Sequence, residues 1–464
     1  MMRKAHSPVF RKAAAATAAV GLVAAVLGLS GCSRRQMNDQ IAEAIGTDGK
    51  YENNEPVETP KMKEQRAAQE QSESEEQNVS QILQTAADQA AGYNYEEAIA
   101  TLNTLSGNLG LDSRVAEARK QYEAGDAALT AWDGDIPHLC FPTLIEDPSR
   151  AFDGDSLSDT YKSTMVTTDE FKAMLQSLYE NNYILVDIHS IAKLQSEGDM
   201  ELQTLRLPSG KKPIVLSQDN VDYSSVKNGD GIATALTVED GAVKAQYTDE
   251  DGHDLSGDYD LVPILDSFIA EHPDFSFRGA RGIVSVSGKN GVFGYQLPDT
   301  ASTGASSESE NGDQAGSSSG NSAASYTDGQ KKIAEIAKTL TDEGWSIASA
   351  GWSHSYMNDA SMTTDQFRQE IDSWESKVAP LTGKADILFF PYGAEVSYPG
   401  DSLSYLLKNG LVYLCGLWGD TDYKEIGDGY MRMTRRFVDG YSLKNAPDNF
   451  SSFFNVSDLI DKNR

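Results

Sequence analysis

The chain has 464 residues, enough for two or three domains with a large core in at least one of them. Its 39 basic and 70 acidic residues give a net charge of −31, which argues against the basic surface that nucleic-acid binding requires. Apart from Cys32, the only cysteines are Cys140 and Cys415, so no disulfide framework is expected. The apolar neighbours of both favour buried free thiols over a bridge.

The first 32 residues have the pattern of a secretory leader. Basic residues precede an apolar run over 13–29, and Ser30 and Gly31 lead directly to Cys32. The run is short for a spanning helix, and small residues before a cysteine mark a signal peptidase site. We therefore predict a lipoprotein signal peptide with a lipobox over 1–32, a lipid on Cys32 and a position on the extracytoplasmic face of a bacterial cell membrane. An uncleaved anchor and a buried core helix are the alternatives.

Two segments of different character follow. Residues 33–79 are rich in Gln, Glu, Asn and Ser and poor in large apolar residues, which is typical of a disordered tether. Helical spacing then predicts a helical hairpin or stalk over 80–131. Gly92, Tyr95 and Ala98 resemble one tetratricopeptide unit, although a repeat array needs about three units for stability. Such a stalk is a candidate for recruiting a protein partner.

From 136 to 464, short β-rich runs alternate with amphipathic helical segments. The β-rich runs lie at 139–141, 183–186, 213–216, 282–286, 345–348, 387–390, 411–415 and 431–433. A stretch rich in Ser and Gly over 299–328 interrupts this pattern and indicates a flexible insertion. Strands that alternate with helices pair in parallel, and about seven of them favour a barrel with its site at the carboxyl ends of the strands.

One β-rich run leads into Ser217-Gln218-Asp219-Asn220-Val221, and another leads into a loop that contains Ala350 and His354. The order and setting of these segments resemble the polysaccharide deacetylases of carbohydrate esterase family four. The resemblance covers 136–464 and implies an α/β fold, a distorted (β/α)7 barrel, here preceded by a small helical stalk. It also implies N-acetylated polysaccharide or peptidoglycan as partner, and a hydrolase that acts on non-peptide carbon–nitrogen bonds.

In that family the first segment reads Thr-Phe-Asp-Asp-Gly, where the first Asp is the general base and the second binds a divalent metal. Asp219 keeps the base position, whereas Asn220 replaces the metal carboxylate. The family's His-Ser/Thr-x-x-His motif supplies two imidazoles. Here either Ala350 and His354, or His354 and Asn358, occupy those positions. The resemblance thus implies zinc, but the only metal ligands left, His354 and Asn220, form an incomplete set, and we expect no tightly bound cofactor.

Two later motifs of the family also differ. Its Arg-x-Pro-Tyr/Phe segment, whose Arg orients the base, appears here as Phe389-Phe390-Pro391-Tyr392. No histidine follows His354, and the segment 435–441 stands where the family has a histidine general acid.

The resemblance selects a set of candidate site residues. Asp219 and His354 are the catalytic candidates, and the substrate-binding candidates are Gln218, Trp352, Tyr392 and Trp418. Each has a structural alternative: a helix cap for Asp219, a hydrogen-bonded structural histidine for His354, and core positions for the aromatic residues.

Three hypotheses for function remain. The first is a surface lipoprotein that binds N-acetylated envelope or extracellular glycan, with lost or much reduced metal-dependent hydrolysis. The second is an active N-deacetylase of peptidoglycan or a chitin-like polymer, with Asp219 as base and His354 as acid or sole imidazole ligand. The third is an envelope lipoprotein whose stalk recruits a partner while the barrel is a scaffold. The incomplete metal ligands place the first and third ahead of the second.

Overall fold

The computed structural model describes residues 51–52, 55–56, 59–298, 327–417 and 422–464. Residues 1–77 and 78–464 form two separate compact units. The predicted signal peptide with Cys32, nearly all of the predicted insertion, and Trp418 lie outside the described residues. In the described ranges, no helix combines the length and the apolar character needed to cross a membrane.

Helix α1 (Pro60–Ala91) begins twenty residues before the predicted stalk. Residues 60–79, predicted as part of the tether, are therefore helical in the structure. The reason is that Glu, Gln, Ala and Lys favour helix even where few apolar residues are present to be buried. Helix α1 fits the stalk that the sequence predicts.

Two further helices, α2 (Tyr95–Leu102) and α3 (Ser113–Ala127), follow α1. In the second unit they pack together with the end of α1 around a small apolar cluster that includes Val79, Leu102 and Val115.

Seven parallel strands close into a barrel, and an eighth strand lies beside it. The eight strands are β1 (His138–Phe141), β2 (Tyr183–Leu185), β3 (Lys212–Gln218), β4 (Ile283–Val286), β5 (Ser346–Ser349), β6 (Ile387–Phe389), β7 (Tyr413–Leu417) and β8 (Tyr430–Phe437). The ring runs from β3 through β4, β5, β6, β7 and β8 to β1, which pairs with β3 again. Strand β2 pairs with the first residues of β3, outside this ring. The predicted (β/α)7 barrel is confirmed.

Helices cover the outside of the barrel. The longer ones are α4 (Thr168–Glu180), α5 (Leu261–Glu271), α6 (Asp328–Asp342), α7 (Thr364–Lys377) and α8 (Asp401–Lys408). Short helices lie at Pro148–Ala151, Ser158–Thr164, Ala379–Thr382, Gly440–Asn445 and Val456–Leu459. A large apolar core fills the space between these helices and the strands.

The smaller strands form additions to the barrel. Three of them, Ala235–Glu239, Ala242–Thr248 and Asp254–Gly257, make an antiparallel sheet that the sequence analysis did not predict. The others are Lys424–Gly427 beside β8 and the pairs Thr130–Ala131 with Arg206–Leu207, Leu144–Ile145 with Val166–Thr167, and Ala192–Leu194 with Met200–Leu202. A strand pair, Tyr51–Glu52 with Glu55–Pro56, belongs to the first unit.

The inside of the barrel holds a second apolar cluster, to which Val215, Phe389 and Met433 belong. Cys140 in β1 and Cys415 in β7 are fully buried free thiols, so that prediction is confirmed. Burial raises the pKa of the Cys140 thiol to about 11 and that of Cys415 to about 12. Both thiols are therefore neutral near pH 7.

Candidate functional site

Asp219 is the first residue after strand β3, at the barrel mouth, by which we mean the residues that follow the carboxyl ends of the ring strands. Its backbone amide donates to the Phe141 carbonyl at the end of β1, over 2.8 Å. Its Oδ1 accepts a hydrogen bond from the Ser285 hydroxyl of β4 at 2.8 Å. Its Oδ2 lies 3.5 Å from Nη1 of Arg435 on β8. Three strands of the ring therefore hold this carboxylate in place.

Arg435, which the sequence analysis did not select, is fully buried inside the barrel. Its Nη1 donates to the Cys140 Sγ at 3.2 Å, and its Nη2 to the Phe390 carbonyl at 3.3 Å. Its guanidinium lies 4.0 Å from the centre of the Phe389 ring, a cation–π contact. Phe389 stands where the resemblance expects an arginine, and in this chain an arginine from β8 reaches the aspartate instead.

A period of two along strand β8 could have identified Arg435. Met431 and Met433 belong to the cluster inside the barrel, and Arg435 is the next residue in that alternation. Because side chains alternate across a strand, Arg435 lies on the same face of β8 as Met431 and Met433 and points into the barrel.

Asn220 uses its side-chain amide within its own loop. Its Nδ2 donates to the Asp222 carboxylate at 3.1 Å, and its Oδ1 accepts from the Ser287 backbone amide at 3.2 Å. Its backbone amide donates to the Ser285 hydroxyl, and its φ of 47° lies in the left-handed region. Asn220 therefore organises the loop after β3 and does not offer a free ligand atom.

His354 lies in the loop after β5, also with a left-handed φ, of 51°. Its ring centre is 5.0 Å from that of Tyr392, and its Nε2 is buried without a hydrogen-bond partner among the described residues. Ala350, at the position of the family's first histidine, is fully buried, and the alternative partner Asn358 has an unpaired buried Oδ1. The mouth thus has one imidazole, whether the family motif is matched to Ala350 and His354 or to His354 and Asn358.

The barrel mouth does not fit the zinc site that the resemblance implies. Asn220 offers a neutral amide where the resemblance has a carboxylate, and this amide bonds to Asp222 and Ser287, while Ala350 offers no ligand atom in its side chain. In the described part of the chain, three converging His, Cys, Asp or Glu ligands occur only at Asp249, Asp251 and His253. That exposed group lies in an antiparallel hairpin, where the Asp249 carboxylate accepts the turn amides of Asp251 and His253.

Two exposed tyrosines form a stacked pair at the mouth. The rings of Tyr356 and Tyr392 have centres 4.6 Å apart at an angle of 24°, and the two residues are 53% and 55% exposed. Burial raises the pKa of Tyr392, and electrostatic interaction with Tyr356, Asp219 and Asp222 raises it further. The two tyrosines lie on the loops that follow β5 and β6, and Tyr356 is a residue that the sequence analysis did not select.

The other substrate-binding candidates are placed differently. Gln218 is fully buried, and its Nε2 donates to both carboxylate oxygens of Asp260 at 2.9 Å, so this side chain belongs to the core. Gln218 is the last residue of β3 and Asp219 follows it, so the two side chains point to opposite sides. Trp352 is half-buried at the edge of a groove next to Tyr356.

A comparison with known protein families matches residues 314–414 to the polysaccharide deacetylase family. The matched segment includes α6, β5, α7 and β6, and with them His354 and Tyr392. Comparisons with curated proteins and with solved structures gave no match. The family match and the closed seven-stranded barrel support the polysaccharide deacetylase family, and a polysaccharide deacetylase domain is present in this chain.

Proposed function

We propose that the barrel binds N-acetylated cell-envelope or extracellular glycan at its mouth, with lost or much reduced metal-dependent hydrolysis. The exposed stack of Tyr356 and Tyr392, on two loops of the barrel mouth, is the observation that carries this proposal. Sugar rings present apolar faces that pack on aromatic rings, and the Asp219 carboxylate can accept hydrogen bonds from hydroxyl or amide groups of a sugar. Asn220 and Ala350 supply neither the charge nor the second imidazole that a catalytic zinc requires.

Calorimetry with chitotetraose, peptidoglycan fragments and poly-N-acetylglucosamine tests glycan binding. We expect measurable affinity for at least one of them, and a loss of about fivefold, roughly 1 kcal/mol, in a Tyr356→Ala variant because one stacking face is removed. Tyr356→Phe keeps the ring and is expected to keep the affinity. Tyr441→Ala, at a tyrosine that is 65% exposed, serves as the matched control. A wild-type protein without affinity for any of the three glycans contradicts the proposal.

An active N-deacetylase is the second candidate, and the firm placement of Asp219 by Ser285 and Arg435 favours it. In this case Asp219 takes a proton from the attacking water, and the unpaired His354 Nε2 is available for proton transfer. The test is acetate release from the same glycans, with Asp219→Asn as the control. Acetate release that Asp219→Asn abolishes would replace the binding proposal with this one.

We also propose that the protein is a lipoprotein held at the extracytoplasmic face of the membrane through Cys32, with the stalk available to a protein partner. The apolar run over 13–29 and the small residues before Cys32 support the anchor. Mass spectrometry of the amino-terminal peptide from membranes tests it. A diacylglycerol on Cys32 is the expected result, and a soluble, unmodified Cys32 contradicts it.

A further inference from the structure

A groove of about 540 Å³ lies beside Tyr356, next to the stacked tyrosines. The loop after β4 contributes Lys289, the loop after β5 contributes Trp352 and Ser353, and helix α7 contributes Glu370 and Lys377. Since these loops follow the carboxyl ends of the neighbouring strands β4 and β5, the groove adjoins the barrel mouth. Tyr356 belongs both to the tyrosine pair and to the lining of the groove, so the groove is next to any sugar that stacks on this ring.

Trp352 has a fixed position at the groove. Its carbonyl accepts the backbone amides of Gly288 at 3.0 Å and Lys289 at 2.9 Å, which joins the two loops. A Cβ on Gly288 would lie 2.3 Å from the Trp352 ring, so glycine is what allows the ring to pack here. The Lys377 Nζ lies 4.2 Å from the centre of the same ring. The groove therefore presents an aromatic surface and an ammonium group together.

The charges of this groove are positive in an acidic protein. Within the described residues neither Lys289 nor Lys377 forms an ion pair, although the chain has a net charge of −31. Glu370 is the carboxylate that lines the groove, and its oxygens accept the Ser353 amide and hydroxyl, both at 2.7 Å. Two ammonium groups thus remain for a ligand.

We propose that this groove is a subsite for an anionic sugar unit, which carries a carboxylate or a phosphate and lies next to the sugar on the tyrosine pair. The inference rests on the glycan binding proposed above and specifies its chemical class. Lys289 and Lys377 pair with the anionic group, and the Trp352 ring holds the Lys377 ammonium at the groove. The overall negative charge does not prevent this, because charges beyond about 8 Å are largely screened at physiological ionic strength.

The test compares three tetrasaccharides by calorimetry on the whole protein: chitotetraose, a peptidoglycan tetrasaccharide with lactyl carboxylates, and a 6-phosphorylated chitotetraose. We expect one or both anionic ligands to bind about fivefold more tightly than chitotetraose, in keeping with two exposed ion pairs. The Lys289→Gln/Lys377→Gln variant is expected to lose this preference, so that it binds the anionic ligands no more tightly than it binds chitotetraose. Lys331→Gln, at an exposed lysine paired with Asp328, is the matched control.

The binding results separate a failure of the anionic subsite from a failure of the proposed glycan binding. Equal affinity of the wild type for neutral and anionic ligands overturns the subsite and leaves the proposed glycan binding intact. The same holds if the double variant weakens neutral and anionic ligands alike. A wild type that binds none of the three overturns both proposals. A preference for only the lactyl or only the phosphorylated ligand supports the subsite and identifies the anion.

Discussion

Arg435 is a charged residue inside the barrel, and its contacts show how the barrel accommodates the charge. A guanidinium is costly to bury, so it needs a charged partner and further hydrogen bonds to remain inside a barrel. Asp219, Cys140 and the Phe390 carbonyl provide them, and the Phe389 ring fills the space beneath the cation. The positive charge beside Asp219 is thus a permanent part of the protein.

Replacing Arg435 by methionine should therefore destabilise the protein. We expect the free energy of unfolding to fall by about 3 kcal/mol, because Asp219, whose side chain is 11% exposed, is left without its counter-charge. Urea denaturation of the variant measures this, with the exposed Arg368→Met as control. Addition of Asp219→Asn to Arg435→Met should recover part of the loss. An Arg435→Met protein as stable as wild type would show that the pair contributes nothing.

At the scale of elements, a charged cluster connects the turn after β2 with the residue that precedes β6. His189, in the turn after β2, has its Nδ1 2.8 Å from Asp187 and its Nε2 3.1 Å from Asp386, the residue before β6. Burial alone would lower the pKa of His189, but the two carboxylates raise it to about 10. The imidazolium therefore persists over the physiological pH range.

The stability that His189 contributes should depend on pH in a defined direction. Its folded pKa is above the unfolded value of about 6.5, so the contribution is complete below pH 6.5 and is lost as pH rises toward 10. Because its partners are about half exposed, we expect less than about 1 kcal/mol. The measurement is the difference in unfolding free energy between wild type and His189→Gln from pH 6 to pH 10. A difference that grows over this interval would refute the assignment.

Strand and helix alternation was sufficient to predict the barrel, because each β-rich run is apolar and short and has helical spacing on either side. The location of Asp219 at the barrel mouth was predictable because this residue comes directly after a β-rich run. Three features were not predictable in this way. The extent of α1 depends on helix propensity without burial. In the antiparallel sheet, the strand Ala242–Thr248 alternates buried with half-buried residues and has no continuous apolar run. Arg435 approaches Asp219 because β8 pairs with β1, which in turn pairs with β3.

At the scale of the whole molecule, zinc should have no effect on the thermal stability of the barrel. A site with a Kd of 1 μM would add about 2.7 kcal/mol at 100 μM zinc, which amounts to several degrees in Tm. We expect no increase in the Tm of the wild type. The informative comparison is the Asn220→Asp/Ala350→His variant, which restores the carboxylate and the second imidazole. Asn220→Asp alone is measured as well, in case the buried Ala350 position does not accept a histidine. A zinc-dependent increase in wild type would contradict the ligand argument.

The two thiols inside the barrel have a practical consequence. Cys140 and Cys415 are in different strands of the ring, completely shielded, and protonated at neutral pH. The thiolate is the nucleophile that displaces iodide from iodoacetamide, so neither sulfur can react at a useful rate until the strands separate. The time course of carbamidomethylation at these two positions therefore measures how often the closed ring opens under native conditions.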